Sequence, residues 1–366
     1  MNNKMKIICI CAIAVILMLA VVSAGDTTQQ ATTADPTVQI TDIVGRTVEI
    51  PANVTRVAAL TGYDYERLMI LNQTDKISIM YPLSSSLPWA LEVAPQLKDI
   101  PTIASMQDPN IEDLLNKNVQ VVISLYFKGA IEKMTAVGIP AVVTQFAASS
   151  GNSGMPQTEE EFADRVKNEM KLYGEVMGPE AEENAEEWCD YFDKKMNFVK
   201  SRTSDLDSSQ RPKVFWGRGP DPQTTHTKDS YPQWYVEIAG GDYVAKNVTG
   251  EVAQTIPIEQ IIEWNPDLIF LGRNNDTGIV MNDSRWKNIK AVQNGNVYLS
   301  PAGVAWWDCC SEGVLFMEFL AKTIHPERFQ DLDMIEEVKD YYSRFFHYDL
   351  TDEEANRILK HLPPAN

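Results

Sequence analysis

Pro109-Asn110-Ile111-Glu112-Asp113-Leu114-Leu115, followed by Val119-Gln120-Val121-Val122-Ile123-Ser124, decides the fold when it is set beside a second stretch. That second stretch is Ile256-Pro257-Ile258-Glu259-Gln260-Ile261-Ile262, followed by Asn265-Pro266-Asp267-Leu268-Ile269-Phe270-Leu271-Gly272. Each predicts a short helix with one glutamate near its start, then a strand. A short unbroken apolar run marks a strand covered on both faces. One such unit is ordinary in an α/β protein. Two, one in each half of the chain, predict two similar lobes with an acidic knob on each.

Outward from these units, strands and helices keep alternating, which predicts mainly parallel central sheets. Gly45-Arg46 divides two alternating stretches, Val38 to Val44 and Thr47 to Pro51, and predicts a β-hairpin. Arg56 to Leu60, Ile77 to Met80, Thr102 to Ser105, Val119 to Ser124 and Ala141 to Thr144 read as strands, and Asp64 as the cap of a helix reaching Leu71. Thr158 and Glu161 form a capping-box pattern before a helix that runs to Met177. Gly178-Pro179 interrupts it. A second helix from about Glu180 to Arg202 carries Trp188, Tyr191, Phe192, Met196 and Val199 at helical spacing. That stripe predicts core packing, and the helix predicts a rigid connector. The predicted organisation is an N-terminal lobe at 38–157, linker helices at 158–207, a C-terminal lobe at 208–348 and a helical tail at 349–366.

The ends of the chain bound its location. Residues 1–24 start with Lys4 and Lys6, continue apolar from Ile7 to Val22, and end on Val22-Ser23-Ala24. This is the pattern of a secretory signal, and its length also allows an uncleaved membrane anchor. Residues 25–37 are Thr-rich and aperiodic, a flexible tether. The expected location is therefore the periplasm or the outer face of the cytoplasmic membrane. Formal net charge is −19. Removing the two signal lysines leaves 30 basic against 51 acidic residues, or −21. Nucleic acid and anionic membrane surfaces are thereby excluded as partners.

Cys189, Cys309 and Cys310 remain beyond the signal, in no zinc pattern. An adjacent disulfide, a bridge from one of the pair to Cys189, and free thiols all stay open. Five N-x-S/T sequons, at Asn53, Asn72, Asn247, Asn275 and Asn282, fit an exported surface. No nucleophile elbow, P-loop, GxGxxG or HExxH is present, and no enzyme activity is expected.

Several segments in order carry a resemblance: Thr41 to Pro51, Pro109 to Glu112, Ile238-Ala239-Gly240-Gly241, Asn265 to Phe270, Trp286 to Tyr298, and His325-Pro326-Glu327-Arg328-Phe329. Over roughly residues 38 to 355 the chain resembles the solute-binding proteins of ABC importers for iron-siderophore complexes, cobalamin and haem. The resemblance implies two α/β lobes joined by one long rigid α-helix, with the ligand cleft between them. It also implies an ABC permease and its ATPase as partners, with Glu112 and Glu259 docking on permease arginines. Two carboxylates on separate lobes make a two-point footprint that bidentate Arg pairing reads directionally. A monomer without resident cofactor is expected. Two departures stand out: Asn118-Val119-Gln120 replaces the Lys-Pro-Asp of many members, and no lipidation cysteine follows the apolar core.

Ligands of open α/β sheets lie beyond the carboxyl ends of strands. That rule selects Tyr63, Tyr81, Trp89, Gln107, Tyr126, Trp216, Arg218, Arg273, Trp306 and Trp307. Aromatic walls suit a flat chelate, and arginines suit carboxylates, catecholates, phosphates or oxyanions. His226 reads as an exposed loop histidine, with iron or haem ligation the sharper alternative. No His/Asp/Glu cluster predicts a protein-held metal. The expected cargo is an iron-siderophore chelate. Alternatives are a corrinoid such as cobalamin, haem, or an oxyanion such as molybdate. A surface receptor or sensor without transport is the remaining alternative.

Overall fold

The computed structural model describes residues 36–145 and 155–365. The signal or anchor segment, most of the tether and the Gly151-Asn152-Ser153-Gly154 stretch lie outside the described residues. An antiparallel ribbon of β1 (Thr37–Thr41) and β2 (Thr47–Pro51) opens the fold. Gly45 makes the turn at φ 79°, a left-handed conformation that costs glycine nothing. The buried Asp42 carboxylate accepts from Arg46 Nε at 2.9 Å and from the backbone N of Val143 at 3.3 Å. One side chain thus closes the turn and ties the ribbon to the first sheet.

That sheet contains β3 (Val57–Ala59), β4 (Ile77–Met80), β5 (Val121–Leu125) and β6 (Ala141–Gln145). They lie parallel in the order β4-β3-β5-β6. The helices between them are α1 (Asp64–Ile70), α2 (Trp89–Val93), α3 (Ile111–Asn116) and α4 (Lys128–Ala136). Two expectations fail here. Thr102 to Ser105 forms only an isolated bridge between Thr102 and Met80, because Pro101 and the exposed Thr102 leave little to pair or bury. Tyr63, not Asp64, sits at the cap of α1. Asp64 instead accepts from the Thr61 backbone N at 2.8 Å and from Tyr173 Oη at 2.5 Å.

Two antiparallel helices follow, α5 (Glu159–Met177) and α6 (Pro179–Thr203). Thr158 Oγ1 caps α5 by accepting from Glu161 N at 3.1 Å, but Glu161 reaches Gln157 N rather than Thr158 N. The capping box is therefore half formed. Gly178, at φ 98°, turns the chain into α6, where Pro179 needs no hydrogen-bond donor. The aromatic stripe of α6 is core. Trp188 stacks on Phe192 at 5.6 Å, and its Nε1 donates to Tyr341 Oη at 3.1 Å.

The second sheet has the parallel order β12-β11-β7-β9. Along the chain come β7 (Lys213–Gly217), β8 (Thr224–His226), α7 (Tyr231–Ile238), β9 (Asp242–Tyr243), β10 (Ala253–Thr255), α8 (Ile258–Trp264), β11 (Leu268–Leu271), α9 (Gly278–Met281), α10 (Lys290–Gln293) and β12 (Val297–Leu299). β8 and β10 pair separately as a short ribbon. Three helices close the chain: α11 (Gly313–Ile324), α12 (Met334–Phe345) and α13 (Asp352–Leu359).

One apolar cluster runs through the inner faces of both sheets, the linker helices and α12, while a smaller cluster covers the outer face of each sheet. Contacts between the lobes are hydrogen bonded at depth. Tyr65 Oη donates to the carbonyl of Val304 at 2.7 Å, and Ser311 Oγ donates to Glu66 Oε2 at 3.0 Å. At the rim, Trp89 Nε1 donates to the Leu362 carbonyl at 2.9 Å, so the C-terminal segment reaches across to the first lobe. Among the described residues no helix is long and apolar enough to cross a membrane.

Candidate ligand-binding site

A cavity of about 210 Å³ lies where the two lobes meet the linker. The first lobe contributes Tyr63, Leu125 and Gln145, each at the carboxyl end of a strand or just beyond it. The linker contributes Arg165 and Glu169, one turn apart on α5. The second lobe contributes Arg218 after β7, His226 at the end of β8, Arg273 after β11, and Asp308 with Cys309.

Arg273 is held in an unusual backbone conformation, φ 57°, directly after Gly272. A non-glycine residue there is strained, and such strain clusters at ligand sites. Its guanidinium is fixed from three sides. Nη2 lies 3.3 and 3.4 Å from the Asp308 carboxylate oxygens and 3.5 Å from Cys309 Sγ, and the Trp306 ring lies 5.4 Å from the guanidinium carbon. Its Nε finds no hydrogen-bond partner among the described residues. The same holds for Arg218 Nε and for both ring nitrogens of His226. His226 Nε2 stands 3.6 Å from Asp308 Oδ2, too long for a hydrogen bond.

Electrostatics follow from this packing. Burial alone would raise the Asp308 carboxyl, but the guanidinium groups of Arg273 and Arg218 outweigh it and hold the group well below the usual carboxylate range. Burial pushes the His226 imidazole down, against the pull of Asp308, so the ring is neutral at pH 7. On the linker side, Arg165 Nε lies 3.2 Å from Glu169 Oε1, and Arg67 Nη2 lies 3.2 Å from Glu169 Oε2. With its amide oriented to satisfy the network, Gln145 accepts from both terminal nitrogens of Arg67 at 2.6 Å. The cavity lining thus carries three guanidinium groups, Arg165, Arg218 and Arg273, with the carboxylates of Glu169 and Asp308, and Arg67 stands behind Glu169. Among the described residues no group of three or more His, Cys, Asp or Glu is placed to hold a metal ion.

Of the residues selected from the sequence, Tyr63, Arg218 and Arg273 meet in this cavity. Trp306 stands behind Arg273, in a separate groove of about 410 Å³ that it shares with Trp89, Asn274, Asn275 and His361. The rest are elsewhere. Trp216 is fully buried against Phe316, and Trp307 is fully buried with Nε1 donating to Glu312 Oε1 at 3.1 Å. Trp89 is 1% exposed and belongs to the core. Trp216 lies within β7 rather than past its end, and all three side chains turn into the apolar interior. Tyr81 packs on the outer cluster of the first sheet, while Gln107 and Tyr126 are exposed outside the cavity. His226 corrects a further expectation: its side chain is buried in the wall, not exposed on a loop. Arg165, Glu169, Asp308, Cys309 and Gln145 escaped the strand-end rule or were not weighed under it. Glu112 and Glu259 are exposed in the first turns of α3 and α8, each helix leading into a central strand. A larger groove of about 520 Å³ lies at the amino ends of β7, β11 and β12, where its Lys290 and Asp267 pair with each other.

Residues 82–303 match the periplasmic binding protein family. The molybdate-binding protein MolA of Haemophilus influenzae is 27% identical over 335 residues, covering 87% of this chain and 93% of that protein. The iron(3+)-hydroxamate-binding protein FhuD of Bacillus subtilis is 28% identical over 182 residues, covering 44% of this chain and 54% of that protein. The molybdate-bound structure of Haemophilus influenzae MolA superposes with a TM-score of 0.76 at 24% identity, covering 86% of this chain and 99% of that one.

Proposed function

The chain belongs to the periplasmic binding protein family, and on that premise we propose that it captures a small tetrahedral oxyanion of the molybdate class for an ABC importer. Its relatives and its fold are those of solute-binding proteins of transporters, not of enzymes. One observation carries the choice of ligand: Arg218 Nε, Arg273 Nε and the ring nitrogens of His226 are buried without partners around a single small cavity. Buried polar groups of this kind, donors at the two arginine Nε atoms and at one nitrogen of the neutral imidazole, are expensive unless something pairs with them. The excess of guanidinium over carboxylate in the lining favours an anion, and Arg forks suit tetrahedral oxygens.

Size argues the same way. Pockets for organic ligands run from about 300 Å³ upward, whereas this cavity is about 210 Å³. An iron chelate, a corrinoid or haem therefore fits less well than the oxyanion alternative, although FhuD of Bacillus subtilis is named for an iron(3+)-hydroxamate ligand. The Haemophilus influenzae relative is named for molybdate, which supports the oxyanion.

Delivery would use Glu112 and Glu259, exposed in the first turns of equivalent helices of the two lobes. The test is isothermal titration of the chain with molybdate, tungstate, sulfate, ferric hydroxamate, cobalamin and haem. Saturation by molybdate or tungstate at one equivalent, with no heat from the chelates, is expected. Saturation by a chelate, with none of the oxyanions bound, overturns the proposal.

A further inference from the structure

Cys309 and Cys310 are adjacent in sequence, and neither serves the anion-binding scheme above. Their sulfurs lie 3.6 Å apart, and all three described cysteines are free thiols. Cys309 lines the cavity, with Arg273 Nη2 3.5 Å from its sulfur. Cys310 is buried behind it, beside Arg67 and Ser311 at the junction of the lobes. The geometry points to a redox modification site in the cavity wall: peroxide entering the cavity joins Cys309 to Cys310 and thereby weakens anion binding.

Each element of the reaction is at hand. A cysteine that is partly accessible and beside a cation is the reactive kind, and Cys309 meets both conditions. The cavity, at about 210 Å³, has room for a molecule the size of hydrogen peroxide. The Cys309 sulfur attacks one peroxide oxygen, the O–O bond breaks, and the departing hydroxide takes the Cys309 proton as water. The Cys310 sulfur then displaces the hydroxyl from the Cys309 sulfenic acid, and its own proton leaves with that hydroxyl as a second water. Two thiols and one peroxide give one disulfide and two waters, with two electrons passed to the peroxide. A disulfide requires about 2 Å between sulfurs, so the pair must close from 3.6 Å. That movement draws Cys309 away from Arg273 and turns its neighbour Asp308, which pairs with Arg273 and faces His226. The donors that define the anion site then lose their common focus. Conversely, a bound anion covers Cys309 in the cavity wall and shields it from peroxide.

Cys189 is an internal control. Burial pushes its thiol up to about 12, and its sulfur packs against the Lys167 carbonyl at 3.7 Å. The experiment treats the full chain with hydrogen peroxide, blocks remaining thiols with an alkylating reagent and maps the peptides by mass. The expected result is a Cys309–Cys310 peptide lacking two hydrogens, restored by reductant, with Cys189 alkylated. Alkylation of both Cys309 and Cys310, or sulfinic acid at Cys309 with Cys310 alkylated, overturns the inference. A second arm titrates molybdate before and after oxidation. An affinity about tenfold lower after oxidation, recovered with reductant and absent in Cys310→Ser, is expected. Equal affinities in the two states overturn the switch. This arm rests on the proposed anion function, and the peptide map does not. Failure of the reduced chain to bind molybdate therefore sinks the ligand assignment, while the map still decides the modification site.

Discussion

Arg273 depends on a backbone conformation, an ion pair, a ring face and a free Nε, and lysine reproduces little of this. Arg273→Lys keeps the charge but loses the planar fork that spans Asp308 and the cavity. Losing the fork's charge-assisted hydrogen bonds to a bound anion costs about 2 kcal/mol or more. Molybdate affinity should fall at least about thirtyfold by calorimetry, with an unchanged far-UV spectrum. Retained affinity would remove Arg273 from the site. Sequence reasoning reached Arg273, Arg218 and Tyr63 because each directly follows a strand, where the carboxyl-end rule looks. It overreached at Trp216, Trp307 and Trp89, because the rule fixes position along the chain but not side-chain direction. Arg165 and Glu169 were out of its reach, for they sit on the connector helix.

The connector is a pair of helices held close by small residues. A Cβ added to Gly174 of α5 would lie 3.0 Å from Glu182 Cα and 3.1 Å from Ala185 Cβ on α6. One of those contacts is backbone, so relief requires the helices to separate. Gly174→Leu should destabilise the protein by about 1–3 kcal/mol or more, as overpacking does, seen as a lower midpoint in urea. An unchanged midpoint would mean that the helices do not pack this closely. The long helices were legible because caps, period and the Gly178-Pro179 break agree. The parallel sheets were legible because most of their strands are short, mainly apolar runs between helical segments, whereas the two-residue β9 left no such run to read. Thr102 to Ser105 misled because a short apolar run says nothing about whether a neighbour offers an edge; only a bridge to Met80 forms.

Across the whole molecule, one pair of carboxylates is exposed, one on each lobe, and another pair is buried at the junction of the lobes. The exposed pair, Glu112 and Glu259, forms no ion pair among the described residues. Charge reversal of both should abolish uptake into cells while molybdate affinity stays unchanged, and normal uptake would exclude them as the docking contacts. The buried pair joins the lobes. Burial pushes Glu66 up to about 7, despite Arg67, and burial followed by Glu66 itself pushes Glu312 up to about 8. Glu66 accepts from Ser311 through Oε2, and its Oε1 finds no partner among the described residues. Both folded values exceed the ordinary carboxylate value, so the folded chain binds these protons more tightly than the unfolded chain. The resulting stability is full below about pH 4.5 and is lost as pH rises through about 7 and 8. His226 and His361, whose burial lowers them, act in the opposite sense, losing stability as pH falls through the histidine range. Comparison with Glu66→Gln removes that background. Glutamine keeps the acceptor for Ser311, places an uncharged group at Oε1 and relieves Glu312 of its neighbour. The variant should match the parent near pH 4, below the unfolded value, where Glu66 holds its proton in the folded chain and largely in the unfolded one. Near pH 8.5 it should exceed the parent by about 3 kcal/mol in urea unfolding, the linkage value of a shift from 4.5 to about 7. An equal difference at both pH values would mean that Glu66 does not titrate in the closed junction, and that the lobes part more readily than these hydrogen bonds allow.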